Sequence, residues 1–169
     1  MHENKKLKTF ITLALLIALQ VILSRVLSIA LWNVKIGFSF LPVALAGMLY
    51  GPFGGIVVGA CSDFIGATLL PIGPYFPGYT VTAAVTGLLY GLFFSKSTSP
   101  LQITLCVVVK QIISSLLLNT FWIALTSGTS FWALLPTRVF SAAVVGAAEI
   151  ILLPLVAKYL QTFRQAARI

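Results

Sequence analysis

Long apolar stretches, broken by short polar or glycine–proline segments, run through the whole chain. Six of them can be drawn, at roughly 8–31, 38–51, 53–70, 78–95, 100–126 and 135–160. A membrane-spanning helix needs about 20 mainly apolar residues, with a range of about 17–25. The second stretch is short, contains Pro42 and ends at Gly51-Pro52, and the third is short and glycine-rich. Residues 38–51 are therefore expected to tilt little or to be irregular where other helices bury them. The first stretch, from Thr9 on, is too long for a signal-peptide core and lacks a cleavage site before Arg25, so it reads as a retained helix. The pattern predicts an all-α membrane protein, a compact bundle of six transmembrane helices forming a single domain over 1–169.

Charge gives this bundle a direction. Lys5, Lys6 and Lys8 precede the first span, Lys96 separates the fourth from the fifth, and Lys158, Arg164 and Arg168 close the chain, whereas the opposite loops hold only Lys35. Positive residues mark the cytoplasmic side, so both termini are expected there. The outer loops are then about 32–37, 71–77 and 127–134. The middle one, Pro71-Ile-Gly-Pro-Tyr-Phe-Pro-Gly78, combines stiffness with tight turns, and binding groups favour loops held on a rigid scaffold. The outer face is the expected ligand side.

Composition narrows the class. The chain is 59% hydrophobic and 8% charged, against about 25% charged in a soluble domain, so lipid must be the solvent for most of it. The net charge of +8 lies at the ends and in one loop; it reflects topology and not a nucleic-acid stripe. Cys61 and Cys106 lie in apolar segments and are expected to be buried free thiols, and with His2 as the single histidine no metal site is expected. A faint repeat, Gly47-Met-Leu-Tyr-Gly51 and Gly87-Leu-Leu-Tyr-Gly91, offers two close-packing faces, each with a tyrosine expected in the interfacial aromatic belt.

Charges within the apolar spans carry the chemistry. Each costs about 2.5–3.5 kcal/mol at a helix centre, so Arg25, Asp63, Lys110, Arg138 and Glu149 each need a partner, water or a ligand. At about 1.5 Å per residue, Arg25 falls about 9 Å and Asp63 about 10 Å below the outer ends of their helices, with Arg138 near the outer start of the last. Lys110 and Glu149 share a deeper level, which predicts a buried ion pair. Arg25 and Asp63 can pair as well. Two outer arginines plus Lys35 against one acid leave surplus positive charge, suited to an anionic ligand group; Arg138 is the leading candidate because a guanidinium grips a carboxylate bidentately, the alternative being that it snorkels to the interface. Trp32, Phe38, Phe76, Tyr79, Trp122 and Trp132 gather at the same end, as an interfacial belt or as stacking walls for a flat heterocycle. Asn33, Asn119, Thr126 and Thr137 add directional hydrogen bonds there, and Asp63 could take the N–H groups of an aminopyrimidine edge.

No phosphate loop, HExxH, paired carboxylates or serine–histidine pair occurs, so neither catalysis nor a cofactor is expected, and the chain does not power transport by that ATPase chemistry. In the first helix, Ala14 and Ala18 form a flat stripe four residues apart that another helix could approach closely.

With these features, the chain resembles an S component, the substrate-binding subunit of an energy-coupling factor (ECF) vitamin transporter. Ala14-xxx-Ala18 is similar to that family's docking stripe. The run Lys35-Ile-Gly-Phe-Ser-Phe-Leu-Pro42, then Gly47-Met-Leu-Tyr-Gly-Pro-Phe-Gly-Gly55, Asp63-Phe64, Pro77-Gly78-Tyr79-Thr80 and Leu134-Leu-Pro-Thr-Arg138 resemble the folate-specific branch. The pantothenate and queuosine-precursor branches look similar. The resemblance implies high-affinity folate capture outside a bacterial cell membrane, partnership with a membrane coupling subunit and two cytoplasmic ATPases, and toppling to release the cargo. It implies that aromatics stack the pterin and benzoyl rings while basic residues meet the glutamate carboxylates. A small membrane enzyme, or an assembly factor whose polar residues only pack helices, are the competing classes.

Overall fold

The computed structural model describes residues 2–30, 35–95 and 97–166, with side chains over 6–28, 37–95 and 97–161. Trp32, Asn33 and Lys96 lie outside the described residues, as does the side chain of Lys35. The elements are α1 (His2–Arg25), a two-residue antiparallel ladder of β1 (Ile29–Ala30) with β2 (Lys35–Ile36), α2 (Phe40–Leu69), α3 (Pro77–Phe94), α4 (Pro100–Lys110), a π-helical segment (Gln111–Asn119), α5 (Thr120–Ser127) and α6 (Phe131–Ala166). Among the described residues, Lys6–Arg25, Phe40–Leu69, Pro100–Ser127 and Phe131–Gln161 are long and apolar enough to cross a membrane.

The break expected at Gly51-Pro52 is real, and it reverses the chain. Gly51 adopts φ 68°, ψ −157° inside α2, a left-handed φ that glycine takes without penalty, and Pro52 restarts the helix with a φ already suited to its first turn. A Cβ added at Gly54 would fall on the Tyr50 Cβ and lie 3.0 Å from the Ala46 carbonyl oxygen. In a straight helix residues 46 and 54 stand about 12 Å apart along the axis. The two arms of α2 therefore fold back against each other. The arm 40–50 is about 16 Å long, well short of an apolar core about 30 Å thick.

Glycine then sets how closely α3 approaches. A Cβ at Gly55 would fall on the Gly87 carbonyl, one at Gly87 on the Gly55 carbonyl, one at Gly59 on the Ala83 carbonyl and one at Gly91 on Pro52. The pairing 55 with 87 and 59 with 83 makes α3 antiparallel to the arm 52–69, backbone against backbone. The faint repeat thus does packing work: Gly47 also abuts Gly91 and Tyr90.

Several expected boundaries shift. The first span stops at Arg25 and not near residue 31, because the chain turns off to form β1; Arg25 thus sits in the last turn of α1, where a cation complements the exposed carbonyls. The outer loop expected at 127–134 shrinks to 128–130, with Gly128 closing α5 at φ 66° and Phe131 and Trp132 already in α6. Tyr90, expected in the interfacial belt, is fully buried and stacked on Phe94 at 5.5 Å, because the glycines beside it draw the helices over it. Cys61 is an exposed free thiol and Cys106 a buried one; the α3 contact uses the glycine face of the arm 52–69, leaving Cys61 on another. The core holds Val58, Tyr90, Phe94, Ile103, Cys106 and Leu153.

Candidate ligand-binding site

Each helix around the centre presents one stripe at helical spacing. The arm 52–69 contributes Gly59, Asp63 and Ala67; α3 contributes Tyr79, Thr82, Ala83 and Thr86; α6 contributes Arg138, Ser141, Val145 and Glu149. Residues three or four apart share a helix face, so these stripes converge. Together with Gln20, Ser24 and Arg25 of α1, the segment 72–76, and Lys110, Gln111, Ser114, Ser115 and Asn119, they enclose a cavity of about 580 Å³. That volume falls in the range of about 300–1,000 Å³ usual for small-molecule sites. From Arg138 to Glu149 the α6 wall runs about 16 Å.

The floor is ionic. Lys110 Nζ donates to Glu149 Oε1 at 2.5 Å, and both side chains are buried, which is the pairing expected of them. With its amide in the orientation that satisfies its neighbours, Gln111 accepts from Lys110 Nζ at 3.2 Å and from the Gly146 N–H at 3.1 Å. The Tyr90 ring lies beneath, its centroid 6.0 Å from Lys110 Nζ.

Nearer the loops a second ionic group is built by α1 and α2. Arg25 Nη2 stands 3.6 Å from Asp63 Oδ1. Thr80 donates to Asp63 Oδ2 at 2.8 Å, so at the 3.2 Å contact between Tyr75 and Thr80 the phenol is the donor. Both oxygens of Asp63 are thereby engaged, and the buried Arg25 Nε has no hydrogen-bond acceptor among the described residues. Gly66 leaves room for this guanidinium, since a Cβ there would lie 2.8 Å from Arg25 Nε.

Aromatic rings close one wall. Phe76 packs on Trp122 at 5.4 Å and edge-on to Tyr79 at 6.0 Å. Trp122 Nε1 donates to Thr82 Oγ1 at 3.1 Å, and Tyr79 and Thr126 hydroxyls approach to 3.5 Å. Arg138 is buried and its Nη2 donates to the Ser115 carbonyl at 3.2 Å.

Of the residues singled out in the sequence, Arg25, Asp63, Phe76, Tyr79, Lys110, Asn119, Thr126, Arg138 and Glu149 line this cavity, and Thr137 does not. Trp122 stands behind Phe76 instead of facing the cavity, and Phe38 is exposed and turned away from it; Phe38 precedes α2, where Gly37, Ser39 and Phe40 take the inward positions. Trp132 is exposed on the first turn of α6. Sequence reasoning missed Ser24, Thr82, Thr86, Ser114, Ser115 and Ser141. The signal was there: Lys110, Gln111, Ser114, Ser115 and Asn119 form a polar stripe within an apolar span.

Residues 8–157 match the family described as the substrate-specific component of ECF transporters. The chain belongs to this family. This S component is 37% identical over 142 residues to the folate transporter FolT of Clostridium novyi (strain NT), covering 83% of each chain. It is 32% identical over 139 residues to FolT of Leuconostoc mesenteroides, covering 78% of this chain and 75% of that one. A crystal structure of FolT bound with folic acid superposes with a TM-score of 0.79 at 28% identity, over 85% of this chain and 88% of that chain. On the S component's outer surface, Ala14 and Ala18 are both exposed on α1 beside Ile11, Leu15 and Ile22.

Proposed function

We propose that this S component captures folate at the outer face of a bacterial plasma membrane and delivers it through a membrane coupling subunit driven by two cytoplasmic ATPases. The carrying observation is the cavity itself. Three cations, Arg25, Lys110 and Arg138, face two carboxylates, Asp63 and Glu149, so its lining is net cationic, and it is walled by Phe76 and Tyr79. Folate offers flat rings and a tail with two carboxylates, which this lining complements. The names of the FolT relatives and the fold shared with folate-bound FolT support the same ligand.

The accompanying topology is six membrane segments with both termini in the cytoplasm. The fold-back at Gly51 supports it by splitting α2 into two arms, and the lysine bias supports the orientation. In this arrangement Arg138 and Arg25 receive the carboxylates, with Lys35 near the mouth. Phe76 and Tyr79 stack on the rings, backed by Trp122, with Asn119 bonding alongside. Asp63 holds Arg25 in place through the bonds described above. Ala14 and Ala18 offer the coupling subunit its contact.

Folic acid and pantothenate titrated separately into the detergent-purified protein test this reading. Saturable one-to-one binding of folic acid, followed by tryptophan fluorescence, with no response to pantothenate, is expected. Thermal stability and fluorescence indifferent to folic acid overturn it.

A further inference from the structure

The segment Gln111–Asn119 runs in the π-helical register for its whole length, where the fifth residue on, and not the fourth, supplies the hydrogen-bond donor. Such segments are rare and gather at functional sites. Thr120 follows this segment: its N–H bonds the Leu117 carbonyl three residues back, and its hydroxyl donates to the Ser115 carbonyl at 3.2 Å. Other threonines here behave differently. Thr12, Thr68, Thr104 and Thr126 return their hydroxyls to the carbonyl four residues back, the usual local bond in an α-helix. Thr120 alone among these reaches five back, and it is completely buried.

The same Ser115 oxygen accepts from Arg138 Nη2 at 3.2 Å. One carbonyl thus joins a side chain that holds the π register to the guanidinium assigned above to the ligand's carboxylates. Ser115 itself lines the cavity, as does Arg138.

We propose that Thr120 is a positioning residue for anion recognition: its buried hydroxyl fixes the Ser115 carbonyl in the π register, and that carbonyl aims the Arg138 guanidinium into the cavity. Thr120 touches no ligand. It acts through a backbone oxygen, so its effect is confined to the ligand's charged tail. A guanidinium held by a fixed acceptor needs little reordering to meet a carboxylate, and binding gains from that preorganisation.

This inference rests on the assignment of Arg138 to the carboxylates, and the test separates the two. Folic acid and its dimethyl ester share rings and length, but the ester has no carboxylate charge. Dissociation constants for both are measured on the detergent-purified full chain and on Thr120→Val, Thr120→Ser and Arg138→Ala. The wild-type chain is expected to prefer the acid. Thr120→Val keeps the shape and removes the hydroxyl; it should weaken folic acid binding about tenfold and leave ester binding within about twofold. Thr120→Ser keeps the hydroxyl and should restore the preference. Equal weakening of both ligands by Thr120→Val, or no restoration by Thr120→Ser, makes the residue merely structural and overturns the inference while the Arg138 reading stands. If Arg138→Ala leaves the preference for the acid intact, the Arg138 reading falls, and this inference falls with it.

Discussion

Lys110 Nζ and Glu149 Oε1 meet at 2.5 Å with both side chains closed off from solvent, and this contact joins the end of α4 to the middle of α6. Removing one partner strands the other charge in an apolar interior, which costs about 3–5 kcal/mol, whereas replacing both with apolar residues is often neutral. Lys110→Met and Glu149→Leu should each lower the melting temperature of the purified protein sharply. The double variant should regain most of the loss. Additive losses in the double variant would show that the two do not act as a pair.

The α2–α3 contact gives a second expectation. Gly55 and Gly87 each occupy the space where the other's Cβ would stand, so any side chain must push two backbones apart. Overpacking typically costs about 1–3 kcal/mol, and displacement of backbone places Gly87→Val at the upper end or beyond. Its yield of monodisperse protein should collapse. Gly73→Ala, with nothing within 4 Å of the added carbon, should behave like the parent.

Arg138→Ala should weaken folic acid binding by about 10–100-fold, since hydrogen bonds to charged groups contribute about 1.5–3 kcal/mol and tenfold corresponds to about 1.4 kcal/mol. Arg138→Lys should recover only part, because an ammonium lacks the planar fork. Calorimetric titration decides; full affinity in Arg138→Ala removes it from the site.

A smaller change is expected for Asp63. Its ion pair with Arg25 is long, at 3.6 Å, and partly exposed, and such pairs contribute about 0–1 kcal/mol. Asp63→Asn should therefore weaken folic acid binding less than about fivefold. A loss well beyond tenfold would mean that Asp63 bonds the ligand itself.

Ala14→Trp and Ala18→Trp place bulk on an exposed face of α1, away from the cavity. Folic acid binding should be unchanged while co-purification with the coupling module is lost. Intact assembly with either variant moves the docking contact elsewhere.

Much of the fold was legible in order along the chain. The glycine–proline break at 51–52, the helix start at Pro77-Gly78 and the stop at Gly128 follow from backbone freedoms that single residues possess, and they appear where the sequence puts them. The pairing of Lys110 with Glu149 was legible too, because two opposite charges at one depth in an apolar medium have few other solutions. The reach of the cavity was not. Ser114 and Ser115 continue the polar stripe of Lys110 and Asn119 without showing what that stripe faces, and Trp122 looks like a wall residue equal to Phe76. Nothing in their own spacing states which neighbour each helix face meets.

Hydrophobicity, charge bias and glycine or proline punctuation act locally or through the solvent, so the residues in order already show that lipid surrounds these helices, where they break, and which end carries the basic and aromatic residues. Which faces turn inward depends on how the helices pack. A residue turns about 100° around an α-helix relative to the one before it, so the stripe of Gln111, Ser114, Ser115 and Asn119 shares one face, but what that face meets is set by the neighbouring helices. Only when α1, both arms of α2, α3 and α6 meet that wall do Arg25, Asp63, Arg138 and the missed hydroxyls share one cavity, because the distances that join them are set between helices and not along any one of them.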